Sequence, residues 1–225
     1  MPRSMRSWNC SAPTSMLAKT PATALSPWQH ALGDEFRLLH PRLRTYFGAI
    51  PEGATGRGDG VFEIVGTPRR WLWPLLSFLA VDNVLFPAWD RDLPFRVRNA
   101  ALNGRVVGLR RFEFPVRPHT MTDSIGWESG ELVDRLGRHG SVRVGLRATV
   151  VDSGLVLEST WVRIAGVRLP HGIAPRVRLE ESFDSDARRQ RISFVMDHPA
   201  LGRLYEYSGH FDYRITGQPR GGSHD

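Results

Sequence analysis

Residues 95–112 read FRVRNAALNGRVVGLRRF, two alternating runs joined by Asn103-Gly104. Asn-Gly is a two-residue turn whose twist suits a hairpin, so it pins a register. Leu102 then faces Arg105, Ala100 faces Val107, Arg98 faces Leu109 and Arg96 faces Arg111. One face carries Phe95, Val97, Asn99, Ala101, Val106, Gly108, Arg110 and Phe112, whereas the other holds Arg96, Arg98, Arg105 and Arg111. The first is the core face, because a strand alternates sides with period two. Arg110 therefore turns inward. A buried guanidinium needs a partner, and that conflict is informative.

Further strands follow at 119–127, 130–136, 141–151 and 155–165, separated by Glu-Ser-Gly, Arg-His-Gly and Asp-Ser-Gly turns. After the Pro-rich stretch 169–175 come strands at 176–183, 190–197 and 203–215. The first of these sets Val177, Leu179, Glu181 and Phe183 on one side, which puts Glu181 in an apolar stripe and makes it the expected partner of Arg110. The last lines one side with Tyr205, Tyr207, Gly209, Phe211, Tyr213 and Ile215. The expectation is an α+β domain, mainly antiparallel β. About ten strands form a curved sheet or partly open barrel around an apolar interior, with two N-terminal helices.

The first helix starts at Ser26-Pro27-Trp28-Gln29, a capping box with Pro at the first helical position. Phe36, Leu39, Leu43 and Phe47 continue an amphipathic stripe that Pro41 bends or divides. Residues 51–60, PEGATGRGDG, read as a flexible loop. The Gly56, Gly58, Gly60 spacing lacks the third glycine and the preceding strand of a dinucleotide fingerprint. A short strand spans 61–65. Thr67-Pro68 then opens a second helix, whose residues 71–81 (WLWPLLSFLAV) are apolar on nearly every side. Such a helix is either buried against a sheet or an interfacial anchor with Arg69 and Arg70 at the headgroups.

The chain has 225 residues, 41% hydrophobic and 24% charged, which suits one ordinary domain. We divide it into a disordered arm over 1–25, a single domain over 26–217 and a disordered tail over 218–225. Net charge is +7. Lys19 is the sole lysine, and the arginines of the domain are scattered without like-charge blocks or aromatic-basic motifs, which argues against nucleic-acid binding. Cys10 is the only cysteine, so no internal disulfide or cysteine metal site can form. With no signal-peptide pattern, a cytoplasmic location is expected.

Catalytic signatures are missing: there is no Gly-x-Ser-x-Gly elbow, Walker loop or His-Glu-x-x-His, and the eight histidines form no local metal pattern. No cofactor and no metal is implied. Arg110 and Glu181 are the best constellation, either as a structural pair or with Arg110 binding an anionic group in the interior. Phe112, Tyr205 and Tyr207 are core first and pocket wall second. Trp127 and Trp161 fall on strands, and Arg163 follows Trp161 at the spacing of one face, so it too can turn inward.

Three segments carry a family resemblance. They are Gly108-Leu-Arg-Arg-Phe112, residues 166–175 (GVRLPHGIAP) and residues 201–209 (LGRLYEYSG). Together they resemble the uncharacterised bacterial family numbered 4166 among domains of unknown function, from about Phe36 to Ile215. In that family the first segment has Trp, Arg and Phe at alternate positions. Here Gly108 stands in place of the Trp, which leaves space in the expected pocket. Members are often fused behind a nicotinamide-dependent dehydrogenase-like domain, so the resemblance implies a stand-alone version and a dehydrogenase-like protein as a partner.

Three readings stay open. The first is a binding module for a hydrophobic or amphipathic small molecule, lipid or isoprenoid-like, in an apolar cavity lined by Arg110, Phe112, Trp127, Trp161, Arg163, Glu181, Tyr205 and Tyr207. The second is an enzyme or accessory subunit working with a nicotinamide-dependent dehydrogenase, using Glu181, His119 or His171 as acid or base. The third is a protein-docking module that uses the 71–81 helix. Peripheral membrane contact through 69–81 is the corresponding expectation for a lipid surface. A closed cavity above ~300 Å3 favours the first reading, a converging carboxylate–histidine pair the second, and an exposed 71–81 face the third.

Overall fold

The structure, a computed structural model, describes residues 25–217. The expected arm, Leu25 excepted, and the expected tail lie outside them. The helices are α1 (Pro27–Leu32), α2 (Pro41–Phe47) and α3 (Trp73–Val81). The strands are β1 (Thr55–Gly66), β2 (Trp89–Asp90), β3 (Leu93–Leu102), β4 (Arg105–Phe112), β5 (His119–Glu128), β6 (Glu131–Leu136), β7 (Val142–Val151), β8 (Gly154–Ile164), β9 (Val167–Arg168), β10 (Arg176–Asp184), β11 (Arg189–His198) and β12 (Gly202–Thr216).

The Asn103-Gly104 hairpin has the register the sequence dictates, with Leu102 opposite Arg105 and Arg96 opposite Arg111. From there every strand pairs antiparallel with its neighbour. β12 returns to β1 and β8 joins β10, closing a barrel of ten strands with β2 and β9 outside it. The expected partly open sheet is thus closed. The β8–β10 seam is short, spanning Leu155–Glu158 against Arg178–Glu181, and beyond it the two strands part.

Ten strands enclose more space than the eight whose inward side chains fill a barrel on their own. Aromatic rings take up the surplus. Phe62, Phe95 and Phe112 meet at centroid distances of 4.3 to 5.4 Å. Tyr205 and Phe211 are fully buried near them. Each end is plugged. At one, α1 and α2 insert Trp28, Leu43, Tyr46 and Phe47; at the other, the segment around α3 inserts Leu76, Val84 and Phe86.

One expectation needs correction. Residues 55–60 are not loop but the first half of β1, with Gly56, Gly58 and Gly60 alternating onto the inner face. A Cβ on Gly56 would sit 1.6 Å from the Tyr213 hydroxyl, and one on Gly58 would sit 2.7 Å from Val97 Cγ1. These glycines yield room to the aromatic core rather than flexibility. The N-terminal stripe divides at Pro41, one of the two outcomes expected there, into α1, a 3-10 stretch over Gly33–Leu38, and α2, with Pro41 at its start. The Ser26 capping box does form, with Gln29 reciprocating. The 71–81 helix, for which burial against a sheet and an interfacial anchor were both open, buries one side only: Leu72 and Leu76 pack inward, while Phe78 is 76% exposed.

Candidate functional site

Inside the barrel, between the α1–α2 plug and the aromatic layer, lies a polar cluster that an apolar barrel would not need. β4 contributes Arg110, β5 Asp123, β6 Asp134, β10 Glu181 and β11 Gln190, each on the parity of its strand's apolar residues. The expected Arg110–Glu181 pair does not form. Arg110 Nη1 donates instead to Asp123 Oδ1, and Gln190 Nε2 donates to Glu181 Oε2. The reason is register: Asp123 sits directly opposite Gly108, two residues from Arg110 on the same face. The room over Gly108 is therefore not vacant. A Cβ there would lie 2.3 Å from Asp123 Oδ1 and 3.2 Å from Arg110 Nη1.

Electrostatics follow from burial. Burial opposes the charge on Arg110, yet Asp123 beside it more than offsets this and holds the guanidinium firmly protonated. Glu181 is pushed up to about 8 by burial, against the pull of Gln190 and Arg110. Asp134 is likewise pushed up to about 8, first by burial and then by the Asp123 carboxylate. Near neutral pH both carry their protons, so the cluster is one ion pair beside two neutral acids. The cavity among these groups, lined also by Trp28, Tyr46, Phe47 and Asn99, is about 30 Å3. That volume admits a water molecule and no lipid.

Asp123, Asp134 and Gln190 escaped notice in the sequence, though each had a signal. Asp123 alternates with Met121 and Ile125, and Asp134 with Leu132 and Leu136.

The remaining candidates disperse. Phe112, Tyr205 and Tyr207 are core; Tyr207 stacks on Phe194 at 4.5 Å, and burial raises its hydroxyl above the ordinary range. Trp127 lies at the α1 rim, stacked 6.2 Å from His30. Arg163 does not turn inward. A bulge opposite Gly145 and Leu146 resets the parity of β8, so Val162 enters the core while Trp161 and Arg163 face out. The Trp161 indole lies across Gly145, donates to Glu131 Oε2 at 2.9 Å, and has the Arg163 guanidinium 5.0 Å from its ring. The three candidate acid–base groups are also apart. Glu181 is interior, His119 stacks on Phe86 at 4.7 Å by the α3 end, and His171 is exposed on the β9–β10 loop. Among the described residues His171 has no carboxylate within salt-bridge reach, and no cluster of metal-binding side chains occurs.

A second, larger space lies where β8 and β10 part. This groove of about 570 Å3 opens on the outside of the barrel. Its apolar lining comes from Leu169, Ala174, Pro175, Val177 and Val195, and Trp161 stands at its side. Arg147, Arg176 and Arg178 supply positive charge. Arg178 is engaged by Glu158 at 2.5 Å and Glu180 at 2.6 Å, whereas Arg147 and Arg176 make no ion pair among the described residues. One wall is the segment 169–175, which bridges the gap because, on the edge of β8 away from β7, this half is paired only by the two-residue β9. Ser159 Oγ accepts from Val177 N at 2.8 Å and fixes the mouth.

A family model described as a domain of unknown function, DUF4166, matches residues 39–211, from the start of α2 nearly to the end of β12. No curated protein matches the chain.

Proposed function

The chain belongs to the DUF4166 family, and we propose that this member of it binds an amphipathic small molecule with an anionic end, held in the groove between β8 and β10 rather than inside the barrel. The observation that carries this reading is the groove itself. At about 570 Å3 it falls in the range of ligand sites, and it joins an apolar lining to two unpaired arginines. The 30 Å3 interior argues against a ligand in the core. Further support comes from the sequence: the groove wall is part of residues 166–175 (GVRLPHGIAP), one of the three segments that carry the family resemblance. Planar guanidinium groups suit carboxylate or phosphate oxygens, and the apolar lining suits a hydrocarbon chain.

Isothermal calorimetry with dodecanoate, in the absence of lipid, tests it. The wild type should give a saturable one-site isotherm, and Arg147→Gln and Arg176→Gln should each weaken it about tenfold, the value of one charge-assisted hydrogen bond. Both arginines lie outside the core, so folding should be unaffected. A flat isotherm, together with a native mass spectrum free of any added mass, would reject the proposal.

A further inference from the structure

An up-and-down barrel sends alternate connections to the same end. The segment carrying α3, the β4–β5 loop, the β6–β7 loop, the β8–β10 connection and the β11–β12 turn therefore share one end. That end is apolar and exposed. Along and just before α3, Trp71, Leu75, Phe78 and Val81 recur at spacings of four and three and are 57%, 56%, 76% and 70% exposed. Their stripe lies opposite Leu72 and Leu76, which seat the helix on the barrel. Val116 projects from the β4–β5 loop, 96% exposed. Ile164, Val167 and Ile173 add exposed surface from the β8–β10 connection, and Leu201 from the β11–β12 turn. At the opposite end the hairpin turns are short and polar, such as Asn103-Gly104 and Ser129-Gly130, and the exposed apolar residues there, among them Leu25, Leu38, Leu102 and Val151, are scattered and form no helical stripe.

Positive charge accompanies the α3 stripe, Val116 and Val167. Arg69 and Arg70 precede the stripe, Arg117 follows Val116, and Arg168 follows Val167. Arg138 closes the far end of α3, donating to the Val81 carbonyl at 2.8 Å. No acid lies within 67–81. Asp82, which follows, is engaged by His139 at 2.7 Å and Ser141 at 2.6 Å, while Asp90 and Asp92 sit to one side, by β2. Apolar side chains projecting from separate loops, with arginines among them, suit insertion among anionic headgroups. A flat protein partner would instead meet a surface broken into points.

We propose that the α3 end of the barrel is a membrane-docking surface, seated on an anionic bilayer with α3 in the interface. The contact proposed is peripheral, and no helix among the described residues is long and apolar enough to cross a membrane. The inference does not rest on the groove, and lipid-free calorimetry distinguishes the two.

The test is flotation of the full chain with vesicles of phosphatidylcholine alone and of equimolar phosphatidylcholine and phosphatidylglycerol. The chain should float with the anionic vesicles. Arg69→Gln and Arg70→Gln should each lower partitioning about fivefold, and Phe78→Glu should lower it at least about tenfold. The melting temperature of Phe78→Glu should match wild type, since that side chain packs against little. Absence from both vesicle fractions overturns the proposal, as does flotation that survives Phe78→Glu. Self-association in sedimentation that Phe78→Glu abolishes, without vesicle binding, would overturn it in favour of a second copy of this chain.

Discussion

Arg110 shows how much one neighbour decides. Its side chain is 17% exposed and that of its partner Asp123 only 6%, so each charge depends on the other more than on water. Removing one partner of such a pair strands the other. Arg110→Met should therefore cost about 3–5 kcal/mol in denaturant unfolding, and adding Asp123→Asn should recover much of it. If the single variant loses under about 1 kcal/mol, a value typical of exposed pairs, then water reaches the carboxylate. The hairpin turn made the inward direction of Arg110 legible, along with the inward place of Gly108. The partner was not. The Glu113–Pro118 loop between β4 and β5 is no two-residue turn and fixes no register, so the sequence could not set Asp123 against Gly108. Glu181, on a clear apolar stripe, drew attention instead and found Gln190.

Strands were legible where turn chemistry and alternation agreed, as in β5 to β8 and in β12. β1 was missed in its first half because three glycines in a row of alternates read as freedom. Their meaning depends on what lies across the barrel, which no local pattern carries. Packing provides the test. A methyl group on Gly58 would meet Val97 Cγ1 at 2.7 Å and Phe211 Cδ2 at 3.1 Å, so the core must shift. Gly58→Ala should cost about 1–3 kcal/mol, as overpacked cores do. In a double-mutant cycle with Val97→Ala the two effects should be non-additive, with Val97→Ala relieving the alanine's clash. Strict additivity would mean that β1 moves away as a whole. For α3 the sequence left burial and an exposed anchor both open, because an apolar composition on nearly every side does not say which side meets the barrel; a nine-residue helix on the end of a barrel can bury only the face turned towards it.

Closure of the barrel turns separate buried acids into a property of the molecule. Asp134 on β6 and Glu181 on β10 are distant in sequence, and only a closed wall turns both inward beside the Arg110 cation, sealing Glu181 and the Oδ1 of half-buried Asp134 from water. Each binds its proton up to about 8 when folded, against ordinary values of 3.8 and 4.5. Between those limits the native state holds protons that the unfolded chain has released, so stability falls as pH rises and levels off above the folded value. His119 opposes this. Burial, then Arg117, holds it below its ordinary 6.5, so its contribution rises with pH over the lower part of that window. It is one partly exposed group against two that face the interior, and the fall should dominate. The melting temperature should thus drop from about pH 5 to about pH 8. Asp134→Asn or Glu181→Gln, which mimic the protonated acids, should each flatten the slope while leaving the His119 part in place. Slopes indistinguishable from wild type would mean that the two carboxyls stay hydrated, and the barrel would then have to open on the timescale of proton exchange.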